Sequence, residues 1–201
     1  MKARHLALAI TGASGAVYGL RLGEELLRAG FRVSLLISRA GFAVLKQECG
    51  VNWGACGEAL NGELCSYFGC DAAQLSYYAE DDFFAPIASG SSAAEAMIVA
   101  PCSMGTLSRI SSGNSGNLLE RSADVMLKEG RPLVLVPRET PLNAIHLEHM
   151  LKLARLGVRI VPAMPGFYQG PGTMEDLVDF VVGKVLDSVG VEHTLFRRWG
   201  G

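Results

Sequence analysis

Apolar and polar positions follow two periods in turn along the chain, which predicts alternating strands and helices. Near-continuous apolar runs predict buried strands over residues 5–11, 31–37, 97–100, 132–136 and 158–161. Apolar positions at helical spacing predict helices over residues 16–28, 41–48, 142–156 and 174–188, with another after residue 106. Parallel strands need such crossovers, and strands that are apolar throughout are covered on both faces. We therefore expect an α/β fold with a three-layer, Rossmann-like, doubly wound parallel sheet.

Residues 50–88 interrupt this rhythm. They contain scattered glycines, three of the five cysteines and an acidic run that starts at Glu80. No internal repeat or low-complexity segment accompanies the change, and 201 residues suit one domain. We therefore expect a single domain over residues 1–201, with residues 50–88 as an elaboration at the edge of the sheet.

Composition narrows the possible partners. Hydrophobic residues make up 49% of the chain and charged residues only 19%, against about 25% in an average soluble domain. Such a chain should bury apolar surface between subunits, so we expect a homo-oligomer. The formal net charge of −2 argues against general electrostatic binding of nucleic acid. The apolar runs are shorter than the ~18 residues of a membrane span, and the N-terminal run is too short for an export signal, so we expect a cytoplasmic protein.

Cysteine and histidine positions argue against a disulfide framework and a metal site. The cysteine count of five is odd and no CxxC pair occurs. His146 and His149 fall three residues apart on a predicted helix, where a solvated face is the more common arrangement. We expect no metal.

The carboxyl ends of the predicted strands carry small and hydroxyl-bearing residues, and ligands of open α/β sheets lie at these ends. The turn at residues 11–15 contains Gly12, Ala13 and Ser14 and leads into a helix whose N–H groups could bind a phosphate, or Ser14 could be a simple N-cap. Ser38 follows the second strand, either as a ligand or as a cap. A further polar turn after Pro101 could hold a phosphate or a ribityl chain, and comprises Ser103, Met104, Gly105 and Thr106.

Charged and aromatic residues follow in the second half of the chain. Asn117 and Glu120 are expected to be a simple capping pair for a helix. Arg121, Asp124 and Lys128 share a face of that helix, which could be a salt-bridged surface. Arg138 and Glu139 end a buried strand, where a cation is costly unless it meets an anion. These groups, with Tyr168 and Lys184 downstream, suit a phosphorylated ligand, and no histidine or cysteine has a partner suggesting a hydrolytic triad.

The chain resembles the flavin prenyltransferases of the UbiX type, within the flavin-binding cysteine-decarboxylase-like folds. The resemblance covers nearly the whole chain and is weakest over residues 50–80. It rests on the following stretches: TGASGA (11–16) with YG (18–19), ASGS (88–91), PCS (101–103) with TLS (106–108), LER (119–121) with ADV (123–125) and LKE (127–129), RPLVLVPRETPL (131–142), PGFY (165–168), and Arg198-Trp199.

The resemblance implies a metal-independent homo-oligomer, a dodecamer, that joins a dimethylallyl group from dimethylallyl monophosphate to N5 and C6 of reduced FMN. The prenylated FMN would serve a partner decarboxylase of the UbiD type, as in ubiquinone synthesis. By position, the FMN-binding residues would be Gly12, Ala13, Ser14, Ser38, Ser103, Met104, Gly105, Thr106 and Arg138. The residues that bind the prenyl phosphate would be Tyr168 and Lys184, with Arg121 and Lys128 close by.

The resemblance also implies catalytic roles. Glu48 and Glu139 would move protons or orient the leaving phosphate, Ser14 would lie near N5, and Trp199 would close the site from a neighbouring subunit. The expected catalytic residues are Ser14, Glu48, Glu139, Lys128 and Tyr168. Lys184 stands where some members have arginine, which keeps the charge but not bidentate phosphate binding.

Two alternatives remain at this stage. One is a flavin-dependent decarboxylase of a cysteine-containing substrate, but such enzymes carry an active-site histidine early in the chain, and here only His5 is early. The other is a non-catalytic subunit that carries flavin to a decarboxylase.

Overall fold

The computed structural model describes residues 4–53 and 57–198, and within these ranges six parallel strands form one sheet. The strands are β1 (His5–Ile10), β2 (Arg32–Ile37), β3 (Leu75–Tyr78), β4 (Ala96–Cys102), β5 (Leu133–Pro137) and β6 (Arg159–Ile160). The α-helices are α1 (Ala16–Arg28), α2 (Arg39–Cys49), α3 (Gly57–Phe68), α4 (Met104–Ser111), α5 (Leu118–Lys128), α6 (Ala144–Arg155) and α7 (Met174–Ser188).

The strand order is β3-β2-β1-β4-β5-β6. From β1 the chain builds the sheet outwards to β3 on one side, and then from β4 to β6 on the other side, so the strand order switches direction between the neighbours β1 and β4. Each adjacent pair is parallel, and β1 pairs with β2 on one side and β4 on the other. In such sheets the crevice at the carboxyl ends of the two central strands is where ligands bind. The expected α/β, doubly wound fold is confirmed, and the topology marks one place for a site.

Two apolar clusters cover the two faces of the sheet. Alternate residues of β1 divide between them: Leu6 and Leu8 join the cluster that includes α1, α3 and α7, whereas Ala7 and Ala9 join the cluster formed with α4 and α5. This alternation is the period of two of a β-strand, buried on both sides. Helices α5 and α7 therefore lie on opposite faces of the sheet.

The interrupting segment forms an edge of the sheet and has more regular structure than the sequence indicated. It contains α3 and β3, and β3 pairs with β2 as the outermost strand. The glycines in α3 and the four-residue length of β3 hide both elements from a reading of periodicity. The other predicted bounds differ by a few residues: β6 spans only two residues, and α2 begins at Arg39.

Two expectations about histidine and cysteine have definite outcomes. His149 does not lie on a solvated face, because it is half-buried and its Nδ1 contacts Ser111 Oγ on α4. His146 belongs to the capping box that begins α6. Four cysteines are free thiols in the described residues, and Cys56 lies outside them.

Residues 4–53 and 57–198 contain neither a membrane-spanning helix nor a cluster of metal-ligating side chains. No helix there is long and apolar enough to cross a membrane. Nor do three or more histidine, cysteine, aspartate or glutamate side chains come together there as a set able to ligate a metal ion.

Candidate functional site

The turn between β1 and α1 is closed by the carboxylate of Glu48. Gly15 is the N-cap residue, and its φ of 101° is a left-handed conformation that glycine adopts without steric cost. Glu48 Oε2 accepts hydrogen bonds from the backbone N–H of Gly15 at 2.8 Å and of Ala16 at 3.1 Å, and the Ser14 side chain also hydrogen-bonds to this carboxylate. The alternative in which Ser14 is a simple N-cap is therefore wrong.

Arg138 completes this group, which we call the Ser14 cluster (Ser14, Glu48 and Arg138). Arg138 Nε donates to the Ser14 carbonyl oxygen at 3.1 Å, which joins the end of β5 to the β1–α1 turn. Burial alone would raise the pKa of Glu48, but hydrogen bonds from Ser14 and two backbone N–H groups, with the charge of Arg138, lower it overall. The cluster therefore brings Ser14, an ionised carboxylate and a guanidinium together at the carboxyl edge of the sheet.

Glu139 lies next to this cluster along the chain. Its side chain is exposed, and its Oε1 accepts a hydrogen bond from the backbone N–H of Thr140 at 3.0 Å. It also lines, with Arg138, a largely apolar cavity of about 530 Å³ between β5 and the segment that follows β6. A carboxylate is thus presented at the mouth of an apolar space.

Three capped helix starts meet around a cavity of about 230 Å³, which we call the helix-start cavity. Ser38 Oγ accepts from Gly41 N at 3.0 Å, Ser103 Oγ accepts from Thr106 N at 3.2 Å, and Asn117 Oδ1 accepts from Glu120 N at 2.8 Å. Helix N-termini favour anions because their N–H groups and dipoles point towards them. Hydroxyl groups and N–H groups in this arrangement suit a phosphate monoester on a polyol chain.

Close backbone approach shapes the same cavity. A Cβ on Gly12 would lie 2.4 Å from the Ala40 Cβ, so the β1–α1 turn can rest against the start of α2 only with glycine there. Ala13 and Met104 are buried beside this turn and in the apolar cluster under α4, while Gly105 is exposed on the first turn of α4. Gly12 and Ala40 line the cavity, whereas Ala13, Met104 and Gly105 are not among its lining residues.

The buried hydroxyl of Thr11 ties the two central turns together. Thr11 is 0% exposed. Its Oγ1 donates to the Pro101 carbonyl oxygen at 2.7 Å, and Thr11 Oγ1 in turn accepts from Ser103 N at 2.8 Å. Because Ser103 begins α4, this hydroxyl fixes where the α4 start lies relative to the end of β1. Sequence reasoning gave Thr11 no such role.

The sequence also gave no reason to place Glu80 and Arg109 in the cavity lining, and it treated Asn117 as a cap alone. Glu80 follows β3, so its position depended on a strand that the sequence did not predict. Arg109 lies one turn after Thr106 on α4, and its Nε donates to the buried Glu120. The N-cap pattern at Asn117 was the one signal available, and its capping role with Glu120 is confirmed.

Tyr168 and Lys184 come together around an aromatic side chain of α7. The Tyr168 ring meets the Phe180 ring edge-on at 5.6 Å, and Lys184 Nζ lies 5.7 Å from the Phe180 ring centroid and 5.0 Å from that of Phe196. We call this the Phe180 cluster (Tyr168, Phe180, Lys184 and Phe196). It adjoins a cavity of about 890 Å³ that Tyr168, Phe180 and Phe196 help to line, so Lys184 is a cation held over aromatic faces.

Arg121 and Lys128 lie apart from both groups. Arg121 Nη1 pairs with Asp124 at 2.9 Å and its Nε donates to the Ala88 carbonyl oxygen at 3.1 Å, which confirms part of the salt-bridged surface. Lys128 pairs instead with Glu129 at 2.6 Å. Lys128 ends α5 next to the start of β5, at the amino edge of the sheet, and α5 lies on the face opposite α7. Within one chain, these cations are not close to Lys184, contrary to expectation.

The predicted site residues therefore fall into separate groups in one chain. The Ser14 cluster and the helix-start cavity share the carboxyl edge of the sheet, through the turns after β1, β2 and β4. The Phe180 cluster and the α5 cations lie on opposite faces of the sheet. Trp199 lies outside the described residues.

The chain is similar to known proteins along nearly its whole length. A family described as Flavoprotein matches residues 1–186 of the chain. A protein of Halalkalibacterium halodurans named Flavin prenyltransferase UbiX is 56% identical over 191 residues, which are 95% of this chain and 91% of that protein.

Two solved structures resemble the fold along almost all of its length. A crystal structure of AnUbiX in complex with FMN and dimethylallyl pyrophosphate has a TM-score of 0.89 at 40% identity, covering 100% of this chain and 99% of the other. A dodecameric FMN-dependent Ubix-like decarboxylase from Escherichia coli O157:H7 has a TM-score of 0.84 at 41% identity, covering 98% and 100%.

Proposed function

The chain belongs to the Flavoprotein family and, within it, to the flavin prenyltransferases of the UbiX type, and from this premise we propose how its residues perform that reaction. The protein is a transferase that joins a dimethylallyl group to reduced FMN, and the product is prenylated FMN. The observation that carries this conclusion is identity of 56% to a flavin prenyltransferase over 95% of the chain.

The flavin binds at the carboxyl edge of the sheet. The helix-start cavity takes the phosphate and ribityl chain, through Ser38, Ser103 and the N–H groups beside Thr106. Gly12 and Ala13 let the ribityl chain approach the backbone closely, and Met104 and Gly105 supply N–H groups of the first turn of α4. Arg138 and Ser14 then face the ring system, because they lie together at the neighbouring turn. Reduced FMN supplies the nucleophilic ring positions, and these residues hold it in place.

The prenyl donor is held by cations, because its phosphate gains charge as the allylic carbon–oxygen bond breaks. Tyr168 and Lys184 bind that phosphate from the Phe180 cluster, and the α5 cations Arg121 and Lys128 add charge. We propose dimethylallyl monophosphate as the donor. Dimethylallyl pyrophosphate, which the AnUbiX structure contains, is the alternative donor to test beside it.

Two carboxylates handle protons around the reaction. Glu48 is ionised and hydrogen-bonded to Ser14, so it can orient that hydroxyl and accept its proton. Glu139, beside an apolar cavity, is placed to take up a proton or orient the departing phosphate. Apolar walls exclude water from the allylic group, which would otherwise be hydrolysed.

Several copies of the chain must then build each site. Lys128 and Lys184 lie on opposite faces of one sheet, so they can serve one phosphate only from different chains. Exposed apolar side chains along α6 provide surface for assembly, namely Ile145, Leu147, Leu151 and Leu156. We propose a homo-oligomer, and a dodecamer by analogy with the E. coli structure. Trp199 would close the site from a neighbouring chain.

The product is used by another protein. Prenylated FMN has no further role in this site, so we propose that it passes to a partner decarboxylase of the UbiD type, in a pathway such as ubiquinone synthesis. We also propose a cytoplasmic protein that is a single domain over residues 1–201, with residues 50–88 as its edge elaboration.

The cysteine-decarboxylase alternative lacks its histidine. His5 is at the amino end of β1, and its Nε2 hydrogen-bonds to Ser34 at 2.8 Å, away from the carboxyl edge. The carrier alternative differs from the enzyme in chemistry, not in flavin binding, so it needs a kinetic test.

The Glu139→Gln variant provides that test. We expect it to bind FMN as the wild-type protein does, because the Glu139 side chain is exposed and hydrogen-bonds to Thr140 N, an interaction that the amide oxygen of glutamine keeps. We expect the rate of prenylated FMN formation to fall about 100-fold or more, as for loss of a positioned acid or base. Unchanged product formation by the variant would contradict the role of Glu139. Absence of product from the wild-type protein, with FMN bound, would favour the carrier.

A further inference from the structure

A carboxylate already occupies the place where an anion would bind in the helix-start cavity. Glu80 Oε2 accepts from the backbone N–H of Arg39, the first residue of α2, at 2.8 Å. Its Oε1 accepts from Asn117 Nδ2 at 3.3 Å, at the start of α5. Both donors belong to helix starts that line the cavity, so Glu80 uses the N–H groups that a phosphate there would need.

The carboxylate is not required to hold its own loop. The backbone carbonyl oxygen of Glu80 accepts from Leu118 N at 2.7 Å, which already joins the segment after β3 to α5. A neutral amide at position 80 would keep an acceptor for Arg39 N while removing the charge. The charge itself therefore has an effect separate from that of the fold.

The charges around the cavity make the conflict with a phosphate sharper. Arg109 lines it, but its guanidinium is paired with the buried carboxylate of Glu120. The Arg39 side chain is exposed, and Asp81 and Asp82 follow Glu80 along the chain. A phosphate dianion beside the carboxylate of Glu80 would be repelled, because like charges at short range in a partly buried site interact strongly.

We propose that Glu80 is a placeholder anion that competes with the flavin phosphate for the start of α2. Its carboxylate accepts hydrogen bonds from the first N–H of α2 and from the Asn117 amide, and a flavin phosphate that takes these donors displaces it towards solvent. Glu80 then sets how readily FMN enters and how readily prenylated FMN leaves. This inference rests on the proposed flavin site, with the phosphate in the helix-start cavity.

The test compares two flavins that differ only in the phosphate. Binding of oxidised FMN and of riboflavin is measured by quenching of flavin fluorescence, for the wild-type protein and the Glu80→Gln variant. We expect Glu80→Gln to bind FMN about three- to tenfold more tightly, the size of one partly screened charge interaction, with riboflavin affinity unchanged. Asp81→Asn is the matched control, since it removes an equal charge from an exposed neighbouring residue.

Each outcome has one meaning. Weaker FMN binding by Glu80→Gln would overturn the proposal and make Glu80 a supporting ligand. If Glu80→Gln binds FMN and riboflavin more tightly by the same factor, the proposal is overturned, because the Glu80 side chain then merely obstructs the flavin. If Asp81→Asn tightens FMN binding as much as Glu80→Gln does, the proposal is also overturned, because the effect then comes from long-range charge. If the wild-type protein binds no FMN, the proposed function fails first. If it makes prenylated FMN but Glu80→Gln binds no tighter, only the placeholder is wrong.

Discussion

At the residue scale, Glu48 acts as the cap that α1 lacks in its own sequence. A carboxylate at a helix N-terminus is stabilising because it accepts N–H bonds and meets the positive end of the helix dipole. Its two bonds to Gly15 and Ala16 join α2 to α1 across the carboxyl edge of the sheet. The same carboxylate hydrogen-bonds to Ser14, so stability and chemistry share one side chain.

We expect Glu48→Gln to lower the free energy of unfolding at pH 7 by about 0.5–1 kcal/mol, the range for an exposed carboxylate at a helix start. The pKa of Glu48 is lowered in the folded chain, so its contribution is present above the ordinary value of 4.5 and is lost as the pH falls below it. Denaturant unfolding at pH 7 and at low pH should therefore show the difference closing on acidification.

Glu63→Gln is the control for Glu48→Gln, because Glu63 is an exposed carboxylate within α3. Its free energy of unfolding should stay within the small range of ordinary surface changes at both pH values. A pH-independent loss in Glu48→Gln would contradict the assignment of the effect to its ionised carboxylate.

At the element scale, the Thr11 hydroxyl holds the end of β1 against the start of α4. Ser103 N has Thr11 Oγ1 as its acceptor, and the Pro101 carbonyl oxygen also accepts from Thr11 N at 3.2 Å. Removal of the hydroxyl therefore leaves mainly the Ser103 N–H unsatisfied.

We expect Thr11→Val to lower the free energy of unfolding by about 1–3 kcal/mol, the cost of an unsatisfied buried polar group. FMN affinity should fall as well, because Ser103 and Thr106 shift with the α4 start. Thr11→Ser restores the hydroxyl and should recover both properties. Loss of stability with full FMN affinity in Thr11→Val would mean that the tie is structural and does not position the flavin.

The elements that the sequence predicted well are those with strong local signals. The bounds of α1 and α7 agree with the pattern because each has a continuous apolar stripe and a glycine just beyond its end, at Gly30 and Gly190. β3 gave no such signal, since only Leu75 of its four residues is fully buried. Glu80 follows β3, so the missing strand also hid a charged residue of the cavity.

The site residues at strand ends could be predicted for a similar reason. Ser38 and Ser103 follow buried strands directly, and parallel topology brings such ends to one edge. The link from Glu48 to Ser14 could not be found by spacing, because it depends on how α2 packs beside α1. Lys128 and Lys184 are separate because α5 and α7 cover opposite faces of the sheet, and the sequence alone does not show which face a helix covers.

At the scale of the whole molecule, the proposed donor site needs two lysines that lie on opposite faces of the sheet, so that site would be shared between chains. The composition already indicated uncovered apolar surface, and exposed leucines and an isoleucine on α6 supply it. Assembly then has a catalytic reason, because a lone chain would present each group of cations without the other.

Mixed assemblies of Lys128→Ala and Lys184→Ala chains test this sharing. Each variant alone should be nearly inactive, whereas random co-assembly in equal amounts should recover about a quarter of the wild-type activity, because that share of sites receives both lysines from different chains. Lys184→Ala mixed with Tyr168→Phe is the matched control, since both residues belong to the Phe180 cluster and no intact site forms. No recovery in the first mixture would contradict a site built from the two faces.

The most direct test of the central claim is the mass of the flavin after anaerobic incubation of the wild-type protein with reduced FMN and dimethylallyl monophosphate. For a flavin prenyltransferase we expect a flavin heavier by one C5 unit, with inorganic phosphate released in equal amount. The pyrophosphate donor, run in parallel, shows which phosphate the cations accept. Flavin of unchanged mass with both donors, from protein that binds FMN, would contradict the account.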